Sequence, residues 1–120
     1  MDCIIDKIKQ RFNIKVIDIQ DRPLYYNEVG MCMSDFVNKS YIIGCDTIVL
    51  GLYDNKEKRI ASLFHEIGHT LVKNDESQYK REKEAWEIGI ELAKEYNIDF
   101  SKETLLWIDE QVSVYKEKEK

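Results

Sequence analysis

His65 and His69 are the only histidines in the chain, and Glu66 directly follows the first. Four residues apart on a helix, two side chains lie one turn apart on the same face. Two imidazoles so placed can hold one metal ion, and the neighbouring carboxylate can reach a water on that ion. A histidine on an apolar helix face is more often a hydrogen-bonded core residue than a ligand. Here the whole histidine content falls into one spaced pair, which favours the metal reading.

Two imidazoles do not complete such a site. A catalytic zinc ion has three protein ligands and one open position. With no third histidine, a carboxylate or thiolate must serve. The segment after the pair offers Glu82, Glu84, Glu87, Glu91 and Glu95. Helical geometry ranks them. With Ala85 set at zero and steps of about 100°, Gly89, Leu92, Ala93 and Tyr96 cluster within about 80° of it. Glu82 falls at about 60°, inside that apolar face, and Glu84 at about −100°. A buried carboxylate without a partner is destabilising, and a metal supplies the partner. Glu82 is therefore the expected third ligand, with Glu84 in reserve. The other glutamates read as a solvated face beside Lys80, Lys83 and Lys94.

An ion held by His65, His69 and Glu82 keeps a position for water and lowers the pKa of that water toward neutrality. Glu66 is placed to take the water's proton as general base and return it to a leaving amine. The implied reaction is hydrolysis of a peptide bond, and His-Glu-x-x-His on a helix is the pattern of zinc peptidases. One zinc ion per chain is expected, although manganese and iron also suit such donors. Many such sites add a tyrosine or histidine as an electrophile. With both histidines committed, a tyrosine is expected, and Tyr53 and Tyr79 are the nearest in sequence.

The elements that must position these groups can be read from periodicity. Ile4, Ile5, Ile8 and Phe12 recur at helical spacing over residues 2–12, and Asn13 ends that helix. Residues 13–19 are β-branched and partly alternating, as in a strand. Asp21-Arg22-Pro23 marks a turn, and residues 31–37 read as a weak strand. Tyr41-Ile42-Ile43, Gly44-Cys45-Asp46 and Thr47-Ile48-Val49-Leu50 read as strand, turn, strand. This hairpin is the candidate edge for holding an extended substrate by strand addition. Asp54 or Asn55 caps the motif helix over about 56–73. Within it, Gly68 implies that something packs closely, a strand or the wall of the metal site, because glycine in a helix interior costs about 1 kcal/mol relative to alanine. A helix over 77–96 opens at Asp75 or Ser77. Another opens at Ser101 and runs to about 116, with Thr104, Leu105, Ile108 and Val112 facing inward. The expected fold class is α+β in a single domain over 1–120. It comprises a small, mostly antiparallel sheet of three to four strands in the N-terminal half, packed against the motif helix and two further C-terminal helices.

Composition narrows the function classes. The chain has 120 residues, 43% apolar and 34% charged, with one proline and a net charge of −5. That describes a compact, helix-rich protein. The acidic balance argues against direct nucleic-acid binding and against an anionic membrane surface. No apolar run is long enough to span a bilayer, and the first residues carry acid where a signal peptide carries base. Cys3, Cys32 and Cys45 are odd in number and lack metal-type spacing, so they read as small buried hydrophobes in a reducing cytoplasm.

Taken together, Thr47–Leu50, the run from Arg59 to Leu71 and the Glu82-Lys83-Glu84-Ala85 element before an apolar helix resemble the ImmA/IrrE family of metallopeptidases. The resemblance covers roughly residues 41–96. It implies a zinc-dependent endopeptidase of the gluzincin type, found in bacteria, phages and integrative elements. His65 and His69 match the motif histidines, Glu66 the catalytic glutamate and Glu82 the first residue of the ExxA element. Trp86 stands where relatives often carry Asp or Asn. The implied partner is a protein substrate of the helix-turn-helix repressor type, cleaved to release the genes it silences. A metal-containing module that binds such a regulator without cleaving it is the alternative.

Overall fold

The computed structural model describes residues 2–19, 40–43, 46–72 and 77–118. The turn at Asp21-Arg22-Pro23, the weak strand over 31–37, the Gly44-Cys45 turn and the readings for Cys32 and Cys45 lie outside the described residues.

In chain order the elements are helix α1 (Asp2–Phe12), strands β1 (Lys15–Asp18), β2 (Tyr41–Ile43) and β3 (Thr47–Leu50), and helices α2 (Lys56–Leu71), α3 (Gln78–Glu95) and α4 (Lys102–Lys118). Among the described residues, four helices of 11, 16, 18 and 17 residues dominate over strands of four, three and four. The chain divides into two compact units, Met1–Ser62 and Leu63–Lys120, and the boundary falls within α2.

The first unit corrects the expected fold class. The protein is mostly helical, and its small sheet is not a mostly antiparallel one. The longer pairing joins β1 to β3 in parallel, Lys15 opposite Thr47 through Asp18 opposite Leu50. The hairpin partner β2 pairs antiparallel on the other side of β3, from Tyr41 opposite Val49 to Ile43 opposite Thr47. The strand order is thus β1-β3-β2. Apolar alternation identifies a strand but not the direction of its partner. A parallel neighbour requires a long connection rather than a tight turn, and that connection here runs through residues 20–39. The central position of β3 explains its unbroken apolar run, because a strand flanked and covered on both sides has no polar face. Ile48, Val49 and Leu50 are all buried, together with Ile8, Ile19, Ile60 and Ala61 of the same unit. Since β3 has neighbours on both sides, only β2 of the hairpin is left to accept a further strand among the described residues. Arg59 on α2 forms an ion pair with Asp18 at the end of β1.

The second unit is helical. Ser77 caps α3, its hydroxyl accepting from the Lys80 backbone N–H at 3.1 Å, and Ser101 caps α4, accepting from the Thr104 N–H at 3.3 Å. Such caps satisfy amide groups that have no partner within the helix. Asn55 does the same for α2, accepting from the Lys58 N–H at 2.8 Å. On α4, Thr104 and Ile108 are buried, whereas Leu105 is 40% exposed and does not face inward. None of the helices among the described residues is long and apolar enough to cross a membrane.

Two glycines set the distance between α2 and α3. A Cβ on Gly68 would collide with the Ala85 carbonyl oxygen and come within 3.0 Å of its carbon. Reciprocally, a Cβ on Gly89 would lie 2.9 Å from the Phe64 carbonyl and 3.0 Å from the His65 amide nitrogen. The close neighbour implied by Gly68 is thus the backbone of α3. In both places the obstacle is main chain, which cannot rotate away. Gly68→Ala and Gly89→Ala each gain about 1 kcal/mol of helix propensity, but crowding a packed interior costs about 1–3 kcal/mol. We expect both to lower the urea midpoint. An unchanged or raised midpoint would show that the helices can separate freely.

Candidate metal centre

Every residue of this site belongs to the second unit. α2 carries His65 and His69 one turn apart, and α3 carries Glu82 in its first turns. Because the glycine contacts bring the two backbones together, the Glu82 carboxylate reaches both imidazoles. Its Oε2 lies 2.9 Å from His65 Nε2 and 3.2 Å from His69 Nε2. One oxygen and two ring nitrogens therefore converge on a single point, with all three donor atoms within 4.8 Å of one another. Glu82 is buried and the histidines are half-buried.

This donor set fits a metal ion. Two neutral imidazole nitrogens and one carboxylate oxygen form a common zinc ligand set. Ligand bonds of about 2.0–2.1 Å at tetrahedral angles place donor atoms about 3.3 Å apart, close to the two separations observed. The His65, His69 and Glu82 cluster could hold a metal ion. Glu84, the reserve ligand, is not part of it. The inward angle of Glu82 in the α3 helix was therefore the informative signal.

The electrostatics separate the two buried glutamates. Burial pushes the Glu82 carboxyl up, but hydrogen bonds from His65 and His69, with their charge, outweigh it and hold the group at about 2. Ionised, Glu82 can only accept, so each Nε2 carries the hydrogen and donates. Burial lowers His65, and this prevails over its bond to Glu82. His69 is less enclosed: burial lowers it, yet the hydrogen bond and charge of Glu82 prevail and it is raised. Glu66, 8% exposed, lacks comparable donors, and burial pushes it up to about 7. Its Oε1 stands 3.6 Å from His65 Nδ1.

Aromatic rings enclose the His65 side. The imidazole stacks on Trp86 with centroids 3.9 Å apart and planes 2° from parallel, and Trp107 meets Trp86 edge-on at 5.8 Å. Trp86 also walls a cavity of about 270 Å³ between α3 and α4, with Tyr79, Ile90, Ile108 and Val112. That is where Tyr79 lies. Tyr53 belongs to the first unit and shares a 2.7 Å hydrogen bond with Ser40 Oγ. Among the described residues, Tyr115 on α4 is a tyrosine whose ionisation is affected by the site's carboxylates. Burial raises it, and the charges of Glu82 and Glu66 raise it further. Proximity in sequence could not find it. The Ile108, Val112, Tyr115 spacing along one helix stripe was the available signal.

We expect the purified protein to bind one divalent metal ion per chain, and His65→Ala, His69→Ala and Glu82→Ala each to abolish stoichiometric binding. Imidazoles bind metal only when neutral, and Glu82 favours the protonated form of His69. Affinity should therefore fall as pH is lowered from about 8 to about 6, across the ordinary imidazole range. Calorimetric titration at several pH values checks both statements. A pH-independent affinity, or full binding by an alanine variant, would contradict the three-ligand site.

No protein-family model, curated protein or solved structure matches this chain, so the case for the centre rests on the residues themselves.

Proposed function

We propose that this chain is a zinc-dependent endopeptidase that hydrolyses a peptide bond in a protein substrate. The observation that carries the reading is the convergence of His65 Nε2, His69 Nε2 and Glu82 Oε2 on one point, with Glu66 buried beside it and free of comparable donors.

Bound at that point, zinc supplies Lewis acidity toward a carbonyl and makes water acidic near neutral pH. The remaining steps belong to the chain. His65, His69 and Glu82 offer their donor atoms and leave the Glu66 carboxylate uncommitted. Glu66, pushed up to about 7 by burial, is matched to exchanging a proton near neutral pH. It takes the proton of the attacking water and hands it to the leaving amine. Tyr115 keeps its proton: burial raises its pKa, and the charges of Glu82 and Glu66 raise it further. A protonated phenol can donate a hydrogen bond to the oxyanion that develops on the scissile carbonyl. The ImmA/IrrE resemblance adds a substrate class, helix-turn-helix repressors of phages and mobile elements.

Zinc-loaded wild type and Glu66→Gln, incubated with such a repressor, provide the test. The wild type should cleave it, and the Glu66→Gln rate should fall by about 10²–10⁴, the usual contribution of a general base. Cleavage by both proteins or by neither would sink the protease reading. Zinc-dependent capture of the intact repressor by both would instead favour a regulatory binding module.

Tyr115→Phe isolates the oxyanion role. Its kcat should fall by on the order of 10²–10³, as for loss of one oxyanion donor, with zinc content and KM unchanged. An unaltered kcat would remove Tyr115 from the mechanism.

A further inference from the structure

The His65 ring is gripped on its edge and on its face by the same helix. Glu82 and Trp86 are four residues apart on α3, hence one turn apart on the same side. Glu82 takes the edge, with its Oε2 2.9 Å from Nε2. Trp86 takes the face, parallel to within 2° at 3.9 Å. Gly89, one further turn along, brings the α3 backbone against the Phe64 carbonyl and the His65 amide. The indole is thereby carried over the imidazole by main-chain packing. Trp107 closes on the indole from the side, at 84° to its plane.

Hydrogen bonding does not account for a tryptophan here. Trp86 is 4% exposed, and its Nε1 is buried with no hydrogen-bond partner among the described residues. A buried N–H left unpaired is destabilising, and a leucine or phenylalanine would avoid that penalty. What the indole offers is a broad, rigid face for stacking.

The imidazole, in turn, lacks the usual support among the described residues. Histidines that ligate metals are commonly oriented by a hydrogen bond from the second ring nitrogen to a carboxylate or carbonyl. The nearest carboxylate oxygen to His65 Nδ1 is Glu66 Oε1 at 3.6 Å, beyond hydrogen-bond reach. Among the described residues, the His65 ring is held at its Nε2 edge by Glu82 and on its face by the stack.

We propose that Trp86 is a positioning residue for the metal centre. Its indole, backed by Trp107, holds the His65 imidazole in the plane that directs Nε2 to the point shared with His69 and Glu82. The stack takes the place of the missing hydrogen bond at Nδ1. This rests on the reading of those three residues as ligands.

The test has two arms. In the first, zinc affinity is measured by competition with a chromophoric chelator for wild type, Trp86→Phe and Trp86→Leu. Phenylalanine keeps an aromatic face, and leucine keeps only apolar bulk. Trp86→Phe should stay within about threefold of wild type. Trp86→Leu should weaken by roughly 10–100-fold, the range for lost outer-shell support. Melting curves of the two metal-free variants should coincide, which separates lost orientation from lost packing. Equal zinc affinity for all three proteins would overturn the proposal.

The second arm needs no variant to fold. With only two histidines in the chain, the imidazole C–H signals in a carbon–proton NMR spectrum are few and assignable. The indole ring current should shift those of His65 upfield of those of His69, and the shift should persist in the presence of zinc. Its absence, or its loss on adding zinc, would overturn the proposal while leaving zinc binding intact. A wild type that shows the upfield shift but binds no zinc would instead bring down the ligand reading, and the proposal with it.

Discussion

A buried carboxylate with two imidazoles aimed at one of its oxygens is the constraint on which the helical unit depends. An ionised carboxylate is poorly tolerated away from water unless paired and hydrogen-bonded. Glu82 is both, through His65 at 2.9 Å and His69 at 3.2 Å. That network demands that α2 and α3 come closer than ordinary side chains permit. Gly68 and Gly89 provide the approach, each facing the backbone of the opposite helix. The glycines thus weaken two helices locally so that three polar groups can meet. Local preference yielding to a shared polar cluster is the pattern expected where function, rather than stability, selects the residues.

Much of this unit was legible because helices obey a short-range rule. A constant turn per residue puts His65 above His69 and turns Glu82 toward the apolar side of α3. Ser77, Ser101 and Asn55 were readable as caps for the same reason, since the groups they satisfy lie within one turn. Gly68 signalled a close neighbour, a strand or the wall of the metal site, and that neighbour is the backbone of α3. What lies across from a helix face is not encoded in that helix alone. The Trp86–His65 stack depends on how α3 is set against α2, and the influence of the carboxylates on Tyr115 and the exposure of Leu105 depend on how α4 is set against α3.

The sheet was less legible for a related reason. The Tyr41–Leu50 hairpin declared itself, because its strands are separated by only three residues. The partner on the other side of β3 comes from Lys15–Asp18, far away in sequence, and runs parallel to it. Alternation in one strand carries no information about that direction. The unbroken run Ile48-Val49-Leu50 did hold a clue, since a strand without a polar face belongs in the middle of a sheet rather than at its edge.

The two glutamates show where residue type stops being informative. Glu66 and Glu82 are both buried, on neighbouring helices, and both are desolvated. Burial alone would push both upward. Glu82 instead falls to about 2 because two imidazole N–H groups donate to it, while Glu66 rises to about 7 because no comparable donor does. Environments that drive two like groups apart assign them different work. A carboxylate held ionised is suited to binding a cation, and one poised near neutrality is suited to moving a proton. Spacing nominated both residues, and the placement of hydrogen-bond donors sets the proposed ligand apart from the proposed base.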